Sequence, residues 1–458
     1  MSPSRAGEGR VRVGFVSLGC AKNLVDTEVM LGHLDRAGAA FVQDPAEADV
    51  LVVNTCGFIE AAREESIQAI LEAAEQKTAG RLKRLVVAGC LVQRFPGEMR
   101  SNLPEVDEWI GLDELPRVVE AVALERRGAG PAATPLTAAA PSTYLYDHST
   151  PRRLATAPWT AFVKIAEGCD HTCSFCAIPS FRGAFRSRAV EDVVQEAEAL
   201  ARSGVREISL ISQDTSDYGR DLGVRDGLVR LLESLDAVPE LRWIRVHYLY
   251  PNSVTPRLVE TMARLRKVVE YVDIPLQHAH PEVLRRMRRG GNAEGHLSLL
   301  ARFRAAMPEV AIRTTFIVGF PGETEEEFRA LLDFAGEARF DHLGVFAYSH
   351  EDGTRAFALE DDVPAEVKEE RRERLMEAQQ AIAFRRNERL VGRTFEVLME
   401  GVHPETEHLL VGRTRGQALE VDGLVLVNDG VAPAGSFASV EITDTAGYDL
   451  VGRIAGGA

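Results

Sequence analysis

The sequence contains no run of about eighteen apolar residues, the length a membrane-spanning helix needs, so no such helix is expected. Its first ten residues, MSPSRAGEGR, carry no apolar core of the kind an export signal uses, so a cytoplasmic chain is expected. Cysteine is scarce: six residues in 458, and none after Cys176. A disulfide framework is thereby excluded as the source of stability, because a chain this long buries enough apolar surface without bridges. Net positive charge is also missing. The 53 Lys and Arg against 69 Asp and Glu leave −16, and such a surface repels nucleic-acid backbone unless a local basic patch overrides it. The 45% hydrophobic and 27% charged residues are globular values, which excludes wholesale disorder and a fibrous repeat.

The length calls for two or three domains. Valine-rich runs at residues 11–18, 49–54 and 85–88 alternate with amphipathic stretches at 23–37 and 59–76. Apolar strands alternating with helices predict a doubly wound parallel sheet over residues 11–126. Residues 127–158, rich in Ala, Pro, Thr and Ser, read as a linker. From 159 to 390 the alternation resumes. Six strand-like runs (161–166, 207–211, 243–248, 269–274, 313–318 and 342–348) predict a partial (β/α) barrel, followed by a charged connector helix over 364–390. Runs at 395–399, 407–414, 419–421, 423–427 and 438–444 predict a small five-strand, OB-like β-barrel over 391–458. The fold class is α/β with this β-barrel at the C-terminal end.

The six cysteines form two sets of three. Cys169, Cys173 and Cys176 lie within eight residues, just after the first barrel strand, in GCDHTCSFCAIPSFRG. Three thiolates that close together suit one metal centre, and a 4Fe–4S cluster held by three leaves one iron open. A structural zinc loop with His171 as fourth ligand is the alternative. Cys20, Cys56 and Cys90 are distant in sequence, but each ends a strand-like run: VSLGC, VVNTC and VVAGC. In a parallel sheet those ends share one edge, where open α/β folds bind ligands, so the three thiols can converge. Three small buried residues are the bland alternative.

The Cx3Cx2C spacing, with Phe175 before the last cysteine, resembles the radical S-adenosylmethionine superfamily. Together with the N-terminal three-cysteine domain and the terminal barrel, it resembles the methylthiotransferase family over nearly the whole chain. The resemblance implies two 4Fe–4S clusters, one at Cys169, Cys173 and Cys176 and one at Cys20, Cys56 and Cys90. It also implies S-adenosyl-L-methionine as cofactor and a TRAM domain that contacts substrate. One cofactor molecule would methylate sulfur at the N-terminal cluster. Another would be cleaved to a 5′-deoxyadenosyl radical that takes hydrogen from the substrate carbon.

CAIPSFRG (176–183), RVHYLYP (245–251), DIPLQHA (273–279) and RTTFIVGFPGET (313–324) resemble the RimO-type branch, which acts on an aspartate β-carbon of small-subunit ribosomal protein S-twelve. The transfer-RNA branch usually has Pro-Tyr-Thr-Arg-Gly where residues 179–183 read PSFRG. From Gly392 onward four Arg, no Lys and ten Asp or Glu give −6, which suits a basic protein partner better than nucleic acid. Transfer-RNA methylthiolation, a different radical enzyme such as a simple methylase, and a non-enzymatic metal-containing protein bound to the ribosome are the competing readings.

Further residues are weaker candidates for cofactor binding. Arg313 can pair with a carboxylate, and Gln213 and Gln277 stand near strand ends. Gly319 and Gly322 either approach an adenosine or simply turn the chain into the next helix. His247, His278 and His280 read as structural or lining residues rather than catalytic bases, and Arg285, Arg286, Arg288 and Arg289 as a solvated helix end. No serine–histidine or cysteine–histidine dyad is evident, and no catalytic residue beyond the cluster ligands is expected.

Overall fold

The valine-rich runs form parallel strands, as their continuous apolar character requires. The structure, a computed structural model, describes residues 11–124 and 140–455. Two units emerge: Met1–Ala155 with Ala166–His171 and Cys176–Arg186, and Thr156–Ile165 with Thr172–Phe175 and Ser187–Ala458.

The first unit holds a five-stranded sheet. Its strands are β1 (Arg12–Ser17), β2 (Ala40–Phe41), β3 (Val50–Thr55), β4 (Arg84–Gly89) and β5 (Glu108–Ile110), in the order β2-β1-β3-β4-β5 and parallel throughout. β3 is buried at every position, the mark of a central strand covered on both faces. Its Leu51 and Val53 pack with Leu85 and Val87 of β4 and with Ile70 and Ala73 of helix α2 (Glu60–Thr78). Helix α1 (Ala21–Arg36) follows β1, and the short helix α3 (Cys90–Arg94) follows β4.

Residues 140–155 belong to this unit, although their composition reads as linker. Arg152 Nε donates to buried Glu28 at 2.9 Å, and Arg153 donates to Asp35 at 2.8 Å. Gly32 lets this segment lie against α1: a Cβ there would stand 2.4 Å from the Arg152 nitrogen. Residues 127–139 lie outside the described residues.

In the second unit six parallel strands form two three-stranded sheets. The first is β6 (Thr160–Lys164), β7 (Glu207–Ile211) and β8 (Trp243–Val246). The second is β9 (Tyr271–Asp273), β10 (Ala311–Val318) and β11 (His342–Ala347). A single parallel bridge, Ile244 to Val268, joins the two sheets, so strand order follows chain order as in a partial barrel. Helices such as Val190–Arg202 and Glu325–Ala338 connect the strands. The latter opens on a capping box, Thr324 with Glu327. A 24-residue helix, Ala365–Glu388, leads into the terminal domain.

That domain is a closed five-strand barrel of β12 (Thr394–His403), β13 (Thr406–Thr414), β14 (Val425–Asp429), β15 (Phe437–Ala446) and β16 (Asp449–Ile454). One expected strand is corrected. Residues 419–421 are a turn, and the fifth strand is β16. The cause is Asp422, which accepts from the Tyr271 hydroxyl at 2.7 Å and stands 3.2 Å from His342 Nδ1. That buried carboxylate draws its loop onto the first residues of β9 and β11 and out of the barrel wall.

Candidate functional site

Cys20, Cys56 and Cys90 follow β1, β3 and β4 at the carboxyl edge of the first sheet. Gly19 turns the chain at φ +89°, and a Cβ there would lie 2.8 Å from Cys56 Cβ and 3.0 Å from its sulfur. The path from β1 to Cys20 therefore runs directly over Cys56. Gly89 makes the corresponding turn at φ +102°, where a Cβ would meet Asn54 Oδ1 at 2.3 Å. Asn54 and Asn23 tie the strand ends together: Asn54 Nδ2 donates to the Asn23 carbonyl at 2.8 Å, and Asn23 Nδ2 to the Leu18 carbonyl at 2.7 Å. All three sulfurs are free of disulfides.

The thiols sit in unlike surroundings and influence one another's ionisation. Burial pushes the Cys90 thiol up to about 12, with the charges of Cys56 and Cys20 adding to the shift and Arg182 opposing it. Burial likewise raises Cys56. At Cys20 the surrounding protein also disfavours the thiolate, but the charges of Lys22 and Arg182 outweigh it and hold the thiol below its usual range. Three free thiols with a guanidinium bonded to one of them fit an anionic metal cluster, whose binding displaces the protons that burial holds on Cys56 and Cys90.

Arg182, which sequence reasoning passed over, is the cation bonded to Cys90 in this cradle. It ends the short helix α4 (Ile178–Arg182), whose Ile178 and Phe181 pack, with Ala177, against Cys90 and Leu112. Its Nη1 donates to both Glu167 oxygens at 3.0 and 2.9 Å. Its Nη2 donates to Asp26 at 3.1 Å and to Cys90 Sγ at 3.0 Å.

Cys169, Cys173 and Cys176 share one stretch of loop, and all three are free thiols of intermediate exposure. In the first unit the Cys169 N–H donates to the Gly183 carbonyl at 3.0 Å. In the second unit Ser174 donates its N–H to the Met287 carbonyl at 2.9 Å and its hydroxyl to the Arg286 carbonyl at 2.8 Å. Phe175 packs with Val283, Met287, Phe320 and Tyr348. Arg289 is not at a solvated helix end. It is buried over the Tyr250 ring at 4.3 Å, with Nη1 3.7 Å from Cys173 Sγ. A cation beside the Cys173 sulfur suits a metal-bound thiolate there.

The remaining candidates divide. Gln213 follows β7. Gln277 follows β9 in a left-handed conformation, φ +71°. Its backbone is pinned to β10 through Thr315 and Ile317, and its buried Oε1 has no partner among the described residues. A non-glycine residue held in that conformation with an orphan acceptor suits a ligand contact. Arg313 instead points at Asp273 (3.5 Å) and Asp422 (3.7 Å). Gly319 and Gly322 use their own N–H groups within the fold, on Glu323 at 2.9 Å and Asp362 at 2.6 Å, so they form a turn. His247 stands 3.4 Å from Asp273, and His278 accepts from the His280 N–H at 2.9 Å; both histidines are buried.

Comparison with known proteins agrees with this arrangement. Three family profiles match: the radical SAM superfamily over residues 163–335, the uncharacterized protein family UPF0004 over 12–111, and the TRAM domain over 391–455. The chain is similar to proteins named ribosomal protein uS12 methylthiotransferase RimO. It is 46% identical to that of Koribacter versatilis, 49% to that of Solibacter usitatus and 50% to that of Anaeromyxobacter sp. strain K. Each alignment covers 97% of this chain and, in turn, 96%, 95% and 93% of the relative. The chain belongs to the RimO methylthiotransferase family. It is a radical SAM methylthiotransferase, and membership implies a 4Fe–4S cluster and S-adenosylmethionine. In fold, this RimO-family chain is similar to the radical S-adenosylmethionine methyltransferase TsrM of Kitasatospora setae. The TM-score is 0.52 at 16% identity, covering 74% of this chain and 73% of that one. No helix among the described residues is long and apolar enough to cross a membrane.

Proposed function

We propose that this enzyme adds a methylthio group to the β-carbon of an aspartate in ribosomal protein uS12. In this reading Cys169, Cys173 and Cys176 hold the 4Fe–4S cluster that binds S-adenosylmethionine, and Cys20, Cys56 and Cys90 hold a second 4Fe–4S cluster that carries the sulfur. The observation that carries the reading is the cradle of three free thiols at the ends of β1, β3 and β4, which a simple radical methylase does not need. When bound, the cofactor pair supplies hydrogen abstraction at an unactivated C–H bond, chemistry beyond the reach of a side-chain base.

The chain's own residues bind, orient and exclude water. Ser174 anchors the cysteine loop by two hydrogen bonds, and Phe175 seals it against an apolar cluster. Gln277 offers a buried amide oxygen to an ammonium or hydroxyl donor of the cofactor. Arg313 stands within ion-pair distance of Asp273 and Asp422.

Charge supports the protein substrate. Each arginine of the terminal barrel is spent in an ion pair: Arg393 on Glu309, Arg413 on Glu207, Arg415 on Glu270 and Arg453 on Glu441. Glu405, Glu407, Asp429 and Asp444 remain exposed. That surface attracts a basic polypeptide and repels a phosphate backbone.

The test is anaerobic reconstitution followed by assay on uS12 and on transfer RNA. About eight irons are expected, two clusters of four. Cys173→Ala is expected to abolish 5′-deoxyadenosine formation, and Cys56→Ala to retain cleavage while losing methylthiolation. A mass increase on transfer RNA instead of uS12 overturns the substrate, and about four irons overturn the second cluster.

A further inference from the structure

Arg182 has more acceptors than charge balance requires. Glu167 and Asp26 already bring two negative charges to one guanidinium, all three side chains being almost fully buried. A guanidinium held only for neutralisation has no need of a further acceptor. Yet the remaining Nη2–H meets Cys90 Sγ at 3.0 Å. A hydrogen bond of that kind to a neutral thiol gains little, whereas one to a metal-bound thiolate is charge-assisted. Arginine stays charged at any working pH, so the donor is permanent.

The position of the donor is fixed by the fold. Helix α4 is clamped by the packing of Ile178 and Phe181 on Cys90 and Leu112. At its end Gly183 accepts the N–H of Cys169 at 3.0 Å and takes φ +81°, where a Cβ would meet the Ser142 carbonyl at 2.5 Å. Glu167 then grips Nη1 through both its oxygens and sets the rotation of the guanidinium plane, leaving Nη2 aimed at sulfur.

We infer that Arg182 is a positioning and redox-tuning residue of the cluster at Cys20, Cys56 and Cys90. It donates Nη2–H to the Cys90 sulfur and so stabilises the more electron-rich, reduced form of that cluster. Hydrogen bonds to ligand sulfurs and nearby charge are among the means by which proteins set cluster potentials. This inference rests on the second cluster proposed above.

The test uses the full chain with Cys169, Cys173 and Cys176 replaced by alanine, reconstituted anaerobically with iron and sulfide, so that only the N-terminal cluster gives a signal. In protein labelled with 15N-arginine, pulsed electron paramagnetic resonance of the reduced cluster is expected to show a weak arginine nitrogen coupling. Arg182→Lys, which keeps the charge but not the fork, is expected to lower the reduction equilibrium constant about tenfold, a shift of about 59 mV for a one-electron couple. About four irons with no arginine coupling and an unchanged midpoint in Arg182→Lys overturn the inference and leave the second cluster standing. No iron in the chain that retains Arg182 sinks the second cluster and this inference together. Should Arg182→Lys fail to fold, the labelled chain with arginine in place decides alone.

Discussion

Arg413 of the terminal barrel donates to Glu207 of β7 at 2.6 Å, with neither side chain exposed to solvent. Arg245 donates to the same carboxylate at 3.0 Å. These charges hold Glu207 down at about 2 against the burial that would raise it. Removing Arg413 breaks a buried pair and leaves the carboxylate to Arg245 alone, and breaking a buried pair typically costs about 3–5 kcal/mol. Arg413→Ala is therefore expected to destabilise the chain by that order, read as a fall in the denaturant midpoint. An unchanged midpoint contradicts the burial of this pair.

Glycine at position 19 separates backbone strain from crowding. Gly19→Ala places a methyl 2.8 Å from Cys56 Cβ, while Gly38→Ala, at a similar φ of +80°, meets nothing within 4 Å. Both are expected to lose about 1–3 kcal/mol from the left-handed conformation. Only Gly19→Ala is expected to displace Cys56, reducing iron from about eight to about four per chain. Equal iron in the two variants contradicts the close approach of the β1 turn to Cys56.

Arg289 stands to Cys173 much as Arg182 stands to Cys90. Its loss removes a donor and a positive charge from the sulfur. Arg289→Gln is expected to keep its iron but to form 5′-deoxyadenosine about tenfold more slowly at limiting reductant, with the rate recovering under a stronger reductant. A rate that does not respond to reductant strength argues for a purely structural role over the Tyr250 ring.

His278 gives a pH signature. Burial lowers it to about 3, with the charge of His280 adding to the effect. The folded chain thus resists a proton that the unfolded chain accepts near 6.5. Stability from this group is present above pH 6.5 and falls as pH drops toward 3, by about 1.4 kcal/mol per pH unit. His278→Asn keeps an acceptor for the His280 N–H and removes the titration. Its denaturant midpoint is expected to vary less over that range, and an equally steep variation assigns the slope to other groups.

Strands β2 and β5 of the first sheet, two and three residues long, are too short to carry an apolar run. Its other three strands and the six of the partial barrel were legible because parallel strands buried on two faces must be largely apolar, as the runs before Cys20, Cys56 and Cys90 are. For the same reason the convergence of those thiols could be read before any geometry. Arg182 could not. Its partners Asp26 and Cys90 lie far off in sequence, and an Arg-Gly pair after an aromatic reads as an ordinary helix end. Arg289 was hidden among Arg285, Arg286 and Arg288, since composition does not distinguish the one that turns inward. Residues 140–155 looked like spacer because their attachment depends on two charges on α1, Glu28 and Asp35. Strand β16 was missed, and residues 419–421 mistaken for a strand, because a single buried carboxylate at Asp422 decides where that loop goes.

The Asp422 loop also limits how interchangeable the terminal domain can be. Trp243, Tyr271 and Ala311 at the starts of β8, β9 and β10 are covered by Leu398 and Ala418 of the terminal barrel, and Trp243 meets Phe437 edge to face at 5.0 Å. The terminal barrel is thus a stopper for one mouth of the catalytic scaffold. A graft that exchanged it for the barrel of a relative with another substrate would inherit a leak unless Arg413 and the loop through Asp422 travelled with it. Specificity can then diverge freely only at barrel residues outside this seal, among them the exposed Glu405, Glu407, Asp429 and Asp444.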